Sequence, residues 1–134
     1  MSVIDWDKRL SIGIQPIDEH HKNLIGQMNN IALAAELLAR PNDLAVLLRK
    51  LRTDMRAHFD YEEKLMDPLS YPQFKLHRNE HRRCEEMLAD FHDKLMAERN
   101  FSLSSFLSYV ANPFNNHVAC SDQTLGDFIR RKSQ

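Results

Sequence analysis

The feature that most constrains this chain is the spacing of four metal-type side chains near its middle. His58 and Glu62 are four residues apart, and so are His77 and His81. On a helix, four residues advance about 400°, so each pair lies on one face, one turn above the other. The prolines of an Asp-Pro and a Tyr-Pro step stand between the two pairs and interrupt a helix. The pattern therefore predicts two helices joined by a short turn, each directing a chelating pair inward.

Apolar residues at steps of three and four predict four helices in all, so the expected fold is all-α. The expected architecture is an up-down-up-down antiparallel four-helix bundle. The helices are expected at 18–39, at 43–66, at 73–98 and from about 102 onward. Asp18 is expected to cap the first helix, whose inward stripe continues to Leu38. Residues 1–17 are expected to form a non-helical N-terminal arm, and 18–134 the bundle, within a single domain 1–134.

The apolar stripes of these helices continue into histidines and carboxylates at the same spacing of three and four residues. In the second helix, for example, Leu51 and Met55 lead directly into His58 and Glu62. Because a polar group buried without a partner costs several kcal/mol, such positions need a partner or a metal. In an up-down-up-down bundle they all fall at one end of the molecule. The side chains expected to converge there are His21, His58, Glu62, His77, His81, His117 and Asp122.

Five imidazoles and two carboxylates exceed the four ligands of a structural zinc site. They suit two octahedral ions that share bridging carboxylates, and mixed imidazole and carboxylate ligation favours non-haem iron. His117 and Asp122 are five residues apart, about 140° on an ideal helix, so we expect an irregularity after His117. The sequence lacks the Glu-x-x-His pairs of ferritin-like di-iron oxidases and the His-Glu-x-x-His motif of zinc hydrolases.

This order of ligands resembles that of the hemerythrins, and the flanking sequence is similar to the bacterial branch of that family. The resemblance covers nearly the whole chain. Besides the ligands, the positions that carry it are Trp6, Gly13-Ile14, the segment 17–24, His58-Phe59 with the segment 62–66, and Tyr71-Pro72.

The resemblance implies two iron ions per chain, ferrous in the deoxy form and ferric in the oxy and met forms, with an oxo or hydroxo bridge. One iron would be held by His77, His81 and His117, the other by His21 and His58, and both by the bridging residues Glu62 and Asp122. It implies an O2-binding protein for O2 storage, transport or delivery, with at most a weak oxidase or peroxidase side activity. The O2 pocket implied by family positions consists of Leu24, Phe59, Phe114 and Val118.

Two positions depart from the family pattern. His20 stands where bacterial relatives usually have Gln, and we expect it to be solvated or to lie beside a ligand without being one. Pro113 stands where the family usually has Trp, four residues before His117. Because proline removes a helix hydrogen bond, the fourth helix is expected to kink there, or to split with Asn112 capping a new segment.

Several alternatives remain open for the function. They are O2 or redox sensing through a partner protein, an oxidase-like or peroxidase-like di-iron protein, and the handling of iron or nitric oxide. The net charge of −1 gives no reason to expect nucleic acid or an anionic membrane as a partner. The lack of a long apolar stretch or a signal-peptide pattern favours a cytoplasmic location. Cys84 and Cys120 are then expected to be reduced thiols with structural roles.

Overall fold

The computed structural model describes Trp6 and residues 10–132. Three long helices come first: α1 (Gln15–Glu36), α2 (Pro41–Met66) and α3 (Phe74–Glu98). The fourth helix, α4, covers 103–132. Its α-helical segments are Leu103–Phe106, Asn112–His117 and Gln123–Lys132, and its π-helical segments are Leu107–Ala111 and Val118–Asp122. The predicted all-α, up-down-up-down bundle is confirmed, and the described residues contain no strand.

Prolines begin the first two helices. Pro16 and Pro41 occupy the first turns of α1 and α2, where a missing backbone N–H leaves no helix bond unmade. Helix α1 therefore starts at Gln15, three residues before the predicted start.

The prediction that Asp18 caps α1 was wrong, because Ile14 occupies the capping position in extended backbone. The Asp18 carboxylate instead accepts hydrogen bonds from Ser11 Oγ at 2.5 Å and from the Ile12 backbone N–H at 2.9 Å. Asp18 thereby ties the preceding residues to the first turn of the helix. Sequence alone gave no sign of this, since the same side chain serves equally well as a cap.

The prediction that the inward stripe of α1 continues to Leu38 was also wrong. The helix ends at Glu36, and Leu38 lies beyond it in left-handed backbone (φ 65°) with its side chain 88% exposed. The Leu38 N–H bonds to the Ala35 carbonyl and the Ala39 N–H to the Ala34 carbonyl, which closes the last turn. These backbone bonds satisfy helix-end carbonyls and turn Leu38 outward.

Helix α4 stays continuous at Pro113. Asn112 is helical (φ −67°, ψ −44°), and its N–H bonds to the Leu107 carbonyl five residues earlier. No side chain caps the segment that follows, so the prediction of a split capped by Asn112 was wrong. The irregularity is instead a π turn directly before the proline. A π turn shifts the hydrogen-bond register at the point where proline supplies no donor.

Two apolar clusters enclose the level at which the predicted ligands lie. The large cluster fills most of the bundle, and a small one contains Met66, Tyr71 and Leu125. Along α2, Glu62 lies between Phe59 of the large cluster and Met66 of the small one. The corresponding residues of α4 are Val118, Asp122 and Leu125. Within the described part of the chain, no helix combines the length and apolarity needed to cross a membrane.

Candidate metal centre

The seven predicted ligand side chains lie together, and each is 3% exposed or less. Their ligand atoms form two groups in which all atoms lie within 4.8 Å of one another. The three-histidine group consists of His77, His81, His117, Glu62 and Asp122. The two-histidine group consists of His21, His58, Glu62 and Asp122. Both carboxylates therefore belong to both groups.

Glu62 divides its two oxygens between the groups. Its Oε2 lies 2.9 Å from His58 Nε2, whereas its Oε1 lies 3.0 Å from the Nε2 atoms of both His77 and His81. The i, i+4 spacing in α2 places His58 and Glu62 one turn apart on the same face. A carboxylate arranged in this way can ligate two ions at once.

Asp122 divides its oxygens in the same manner. Its Oδ2 lies 3.0 Å from His21 Nε2, and its Oδ1 lies 2.9 Å from His77 Nε2 and 3.0 Å from His117 Nε2. The predicted irregularity after His117 is confirmed as the π-helical segment Val118–Asp122. Because a π turn bonds each N–H to the carbonyl five residues earlier, it brings residues five apart close to one face.

The contacts within the site fit a cation better than hydrogen bonds. His21 Nε2 lies 3.0 Å from His58 Nε2, and His81 Nε2 lies 3.1 Å from His117 Nε2. Imidazole nitrogens lie about 3 Å from Glu62 Oε2 and from both Asp122 oxygens. The directions of these contacts are nevertheless unsuitable for hydrogen bonds, so the three oxygens have no donor. Buried carboxylate oxygens without donors are costly. Lone pairs that converge without bonding one another are what a set of metal ligands presents, and the donor types suit iron.

The charges of the site are strongly coupled. Burial opposes protonation of His21, but its contacts with Asp122 and Glu62 outweigh burial and raise its pKa to about 9. The pKa values of His77 and His117 rise for the same reasons. Burial favours the neutral forms of Glu62 and Asp122, yet the imidazoles around them hold the pKa of each carboxyl below its usual value. Because metal ligands must be deprotonated, a bound cation would replace these protons.

Each predicted ligand histidine directs its Nε2 atom into the site, and its Nδ1 atom is called the outer nitrogen. The outer nitrogens of two imidazoles in the three-histidine group contact carboxylates. His81 Nδ1 lies 2.8 Å from Glu63 Oε2, and His117 Nδ1 lies 2.8 Å from Glu80 Oε1. Ser121 Oγ also donates to Glu80 Oε1 at 2.6 Å. The hydrogen bond from His117 is the main reason that the pKa of Glu80 falls to about 2. Histidines that ligate metals characteristically donate their second N–H to such an acceptor.

Glu63 and Glu80 were not predicted from the sequence as part of the site. Each is adjacent in sequence to a predicted ligand, which is the only signal that could have pointed to them. Glutamates beside ligands are too common on helices for that signal to be selective.

His20 lies outside both groups. It is half-buried, and its Nδ1 is 3.0 Å from His58 Nδ1, on the side of that ring opposite the site. Its ring is edge-on to both His58 and Tyr61 at centroid distances of 5.1 Å. Burial, followed by the nearby His58 and His21, lowers the pKa of His20. The neutral imidazole is therefore the favoured form.

The four residues predicted for the O2 pocket are all buried beside the site: Leu24, Phe59, Phe114 and Val118. The Phe59 ring stacks on His81 with 4.0 Å between centroids and 7° between planes. The Phe114 ring meets His21 edge-on at 5.8 Å. These rings place apolar surface directly against imidazoles of both groups.

The two cysteines lie outside the site. Both are free, Cys84 buried and Cys120 exposed, and both line a surface cavity of about 300 Å³ that also borders Pro113. Burial raises the pKa of Cys84 to about 11, which keeps its thiol protonated and unreactive.

Comparisons with known proteins agree with this geometry. Residues 12–129 match the hemerythrin HHE cation binding domain. The chain is 25% identical over 130 residues to a bacteriohemerythrin of Stenotrophomonas maltophilia (strain R551-3), with 97% of this chain and 84% of the relative covered. It is 23% identical over 141 residues to a bacteriohemerythrin of Pseudomonas paraeruginosa (strain DSM 24068 / PA7), covering 100% and 92%. A Campylobacter jejuni bacteriohemerythrin (serotype O:23/36, strain 81-176) is 23% identical over 129 residues, covering 94% and 95%.

Proposed function

The chain belongs to the hemerythrin family, and from that premise we propose that it binds O2 reversibly at a centre of two non-haem iron ions. The biological use would be O2 storage, transport or delivery. The observation that carries the proposal is the division of the Glu62 and Asp122 oxygens between two groups of imidazoles. A site for a single ion does not require two carboxylates whose oxygens are each divided between two groups of imidazoles.

The ligands would divide unequally between the ions. The ion in the three-histidine group would have five protein ligands, and the ion in the two-histidine group four. With an oxo or hydroxo group as one further ligand, the three-histidine group would complete an octahedral coordination, whereas the two-histidine group would leave one position open. When bound, ferrous iron supplies the electrons that reversible O2 binding requires.

The side chains around the centre would protect it from water. Phe59 lies flat against His81, Phe114 lies edge-on to His21, and Leu24 and Val118 are buried. An apolar surround limits access of protons and water, which favours release of O2 over its further reduction. Leu24, Phe59, Phe114 and Val118 are therefore proposed to form the O2 pocket.

The test is anaerobic reconstitution of the full chain with ferrous iron, followed by iron counting. Visible spectra are then recorded before O2 is admitted, in its presence and after its removal. We expect two iron ions per chain and a band that appears with O2 and bleaches when O2 is withdrawn. A stable ferric spectrum that does not bleach would keep the iron site but overturn reversible O2 binding. That outcome would favour redox sensing or oxidase-like turnover.

A pair of variants in one helix provides the control. Asp122→Asn removes a carboxylate from both groups, and we expect fewer than two iron ions per chain and no reversible band. Asp127→Asn removes an exposed carboxylate five residues later, whose contact is with Arg130, and should load like the wild type. Equal iron contents in the two variants would contradict a bridging role for Asp122.

A further inference from the structure

The two groups of ligands differ in the side chains that contact the outer nitrogens of their histidines. In the three-histidine group, the outer nitrogens of His81 and His117 face carboxylates at 2.8 Å. In the two-histidine group, the outer nitrogen of His58 faces the imidazole of His20 at 3.0 Å. The outer nitrogen of His21 has no hydrogen-bond partner within the described structure. Within residues 10–132, the second group therefore has no charged acceptor at these nitrogens.

The protonation of this imidazole pair follows from the ligand role proposed for His58. A neutral imidazole that offers its Nε2 lone pair to a metal carries its proton on Nδ1. The His58 Nδ1–H must then donate to His20 Nδ1, which can accept only if it carries no proton. His20 is thus fixed as a neutral acceptor with its own proton on Nε2.

The other side chains near His20 do not compete for the hydrogen bond between His58 and His20. His20 lines a surface cavity of about 430 Å³ together with Asn23, Asp54 and Tyr61. The Asp54 carboxylate is already engaged, because Lys50 and Gln27 each donate to its Oδ2 at 2.7 Å. Among the described residues that line this cavity, the one carboxylate is thus already paired with a cation and an amide.

We propose that His20 is a positioning residue that holds His58 through the contact between their Nδ1 atoms, and that an imidazole in this place, where His81 and His117 have carboxylates, makes the two-histidine group the weaker of the two iron sites. An anionic acceptor makes an imidazole a stronger donor to a metal, whereas a neutral acceptor orients it with less gain in basicity. The inference rests on the proposed function, since it assigns different affinities to the two proposed iron ions. The iron in the two-histidine group is bound last and released first.

The test measures release of iron and needs no O2. Apo-protein is loaded anaerobically with two equivalents of ferrous iron and mixed with an excess of a coloured ferrous chelator. We expect two phases of equal amplitude in the wild type, the faster from the two-histidine group. His20→Leu, which has no acceptor, should accelerate only the faster phase, by about tenfold.

Two further variants separate the hydrogen bond from mere packing. The Asn Oδ1 atom can occupy the position of His Nδ1, so His20→Asn should release iron within about threefold of the wild-type rate. His20→Asp places a carboxylate there and should slow the faster phase about tenfold. If His20→Asn behaves like His20→Leu, the role of His20 is packing and the proposal is wrong.

The matched control is Glu63→Gln, which removes the charged acceptor of His81 in the other group. It should accelerate only the slower phase. The proposal is overturned if His20→Leu leaves both phases unchanged, or if His20→Leu and Glu63→Gln alter the same phase. A wild type that takes up fewer than two equivalents would overturn the proposed function itself, which distinguishes the two failures.

Discussion

The two ends of the bundle are built on the same helical periodicity but are stabilised differently. The site end is the end that contains the seven predicted ligands, and the far end is the opposite one. At the far end, the facing side chains are apolar and buried, as Leu48, Phe91 and Phe106 illustrate. Each such side chain contributes roughly 1.5–3 kcal/mol by leaving water. At the site end, seven polar side chains occupy equivalent positions and are just as buried. They cost free energy unless they are paired or bound to metal. The far end is therefore stable by packing alone, whereas we expect the site end to depend on a bound cation.

The largest effect expected at the far end comes from Phe91→Ala. The Phe91 ring packs against those of Phe101 and Phe106 at centroid distances of 5.7 and 5.5 Å. Its removal leaves a cavity and should lower the free energy of unfolding by about 4 kcal/mol. Urea denaturation with and without iron should give the same loss, because this end does not depend on metal. Leu76→Ala, at a 63% exposed position, should change stability by less than about 0.5 kcal/mol.

Iron removal is the corresponding perturbation of the site end. A ligand that binds only the folded state, at 100 times its dissociation constant, adds about 3 kcal/mol to stability. Chelation should therefore reduce hydrogen-exchange protection in 58–66, 74–84 and 114–126, whereas 44–55 and 88–95 keep theirs. Equal losses at both ends would show that the bundle opens as one unit and would remove the distinction between them.

Gly126→Ala tests the close packing of the Ile12 backbone against α4. A Cβ at position 126 would lie 2.6 Å from the Ile12 carbonyl oxygen, which cannot move without shifting the backbone. We expect a loss of about 2 kcal/mol. The emission of Trp6, the only tryptophan, should shift to the red as its packing against the large cluster loosens.

Gly26→Ala is the matched control for that substitution. Gly26 lies in the interior of α1, and apart from its chain neighbours and the adjacent helix backbone, no atom of the described residues would lie within 4 Å of a Cβ there. The change should stabilise the protein by about 0.5–1 kcal/mol through helix propensity and leave the Trp6 emission unchanged. If Gly126→Ala behaved in the same way, the close approach of Ile12 would have no energetic consequence.

The predictability of these features differs for physical reasons. The register of His58 and Glu62 on the stripe of α2 follows from helical spacing. The π turn after His117 follows from the requirement that the side chains of His117 and Asp122 share one site. Side chains five residues apart on a regular α-helix point about 140° away from each other, so the helix must be irregular there. The acceptors Glu63 and Glu80 could not be deduced, since they depend on how neighbouring helices rotate against each other. The outward turn of Leu38 depends on backbone bonds that its side chain does not determine.

The smallest effect expected at the far end concerns the start of α4. The Ser102 hydroxyl oxygen accepts a hydrogen bond from the Ser105 N–H at 3.2 Å and so caps the helix, as its predicted start near 102 requires. Ser102→Ala should lower stability by about 1 kcal/mol, equally with and without iron, whereas Ser102→Asp should retain the cap. Ser104→Ala, within the first turn, removes no cap and should cost nothing. A Ser102→Ala loss that appeared only in the iron-loaded protein would mean that α4 transmits strain between its ends, and the two ends could no longer be treated as independent.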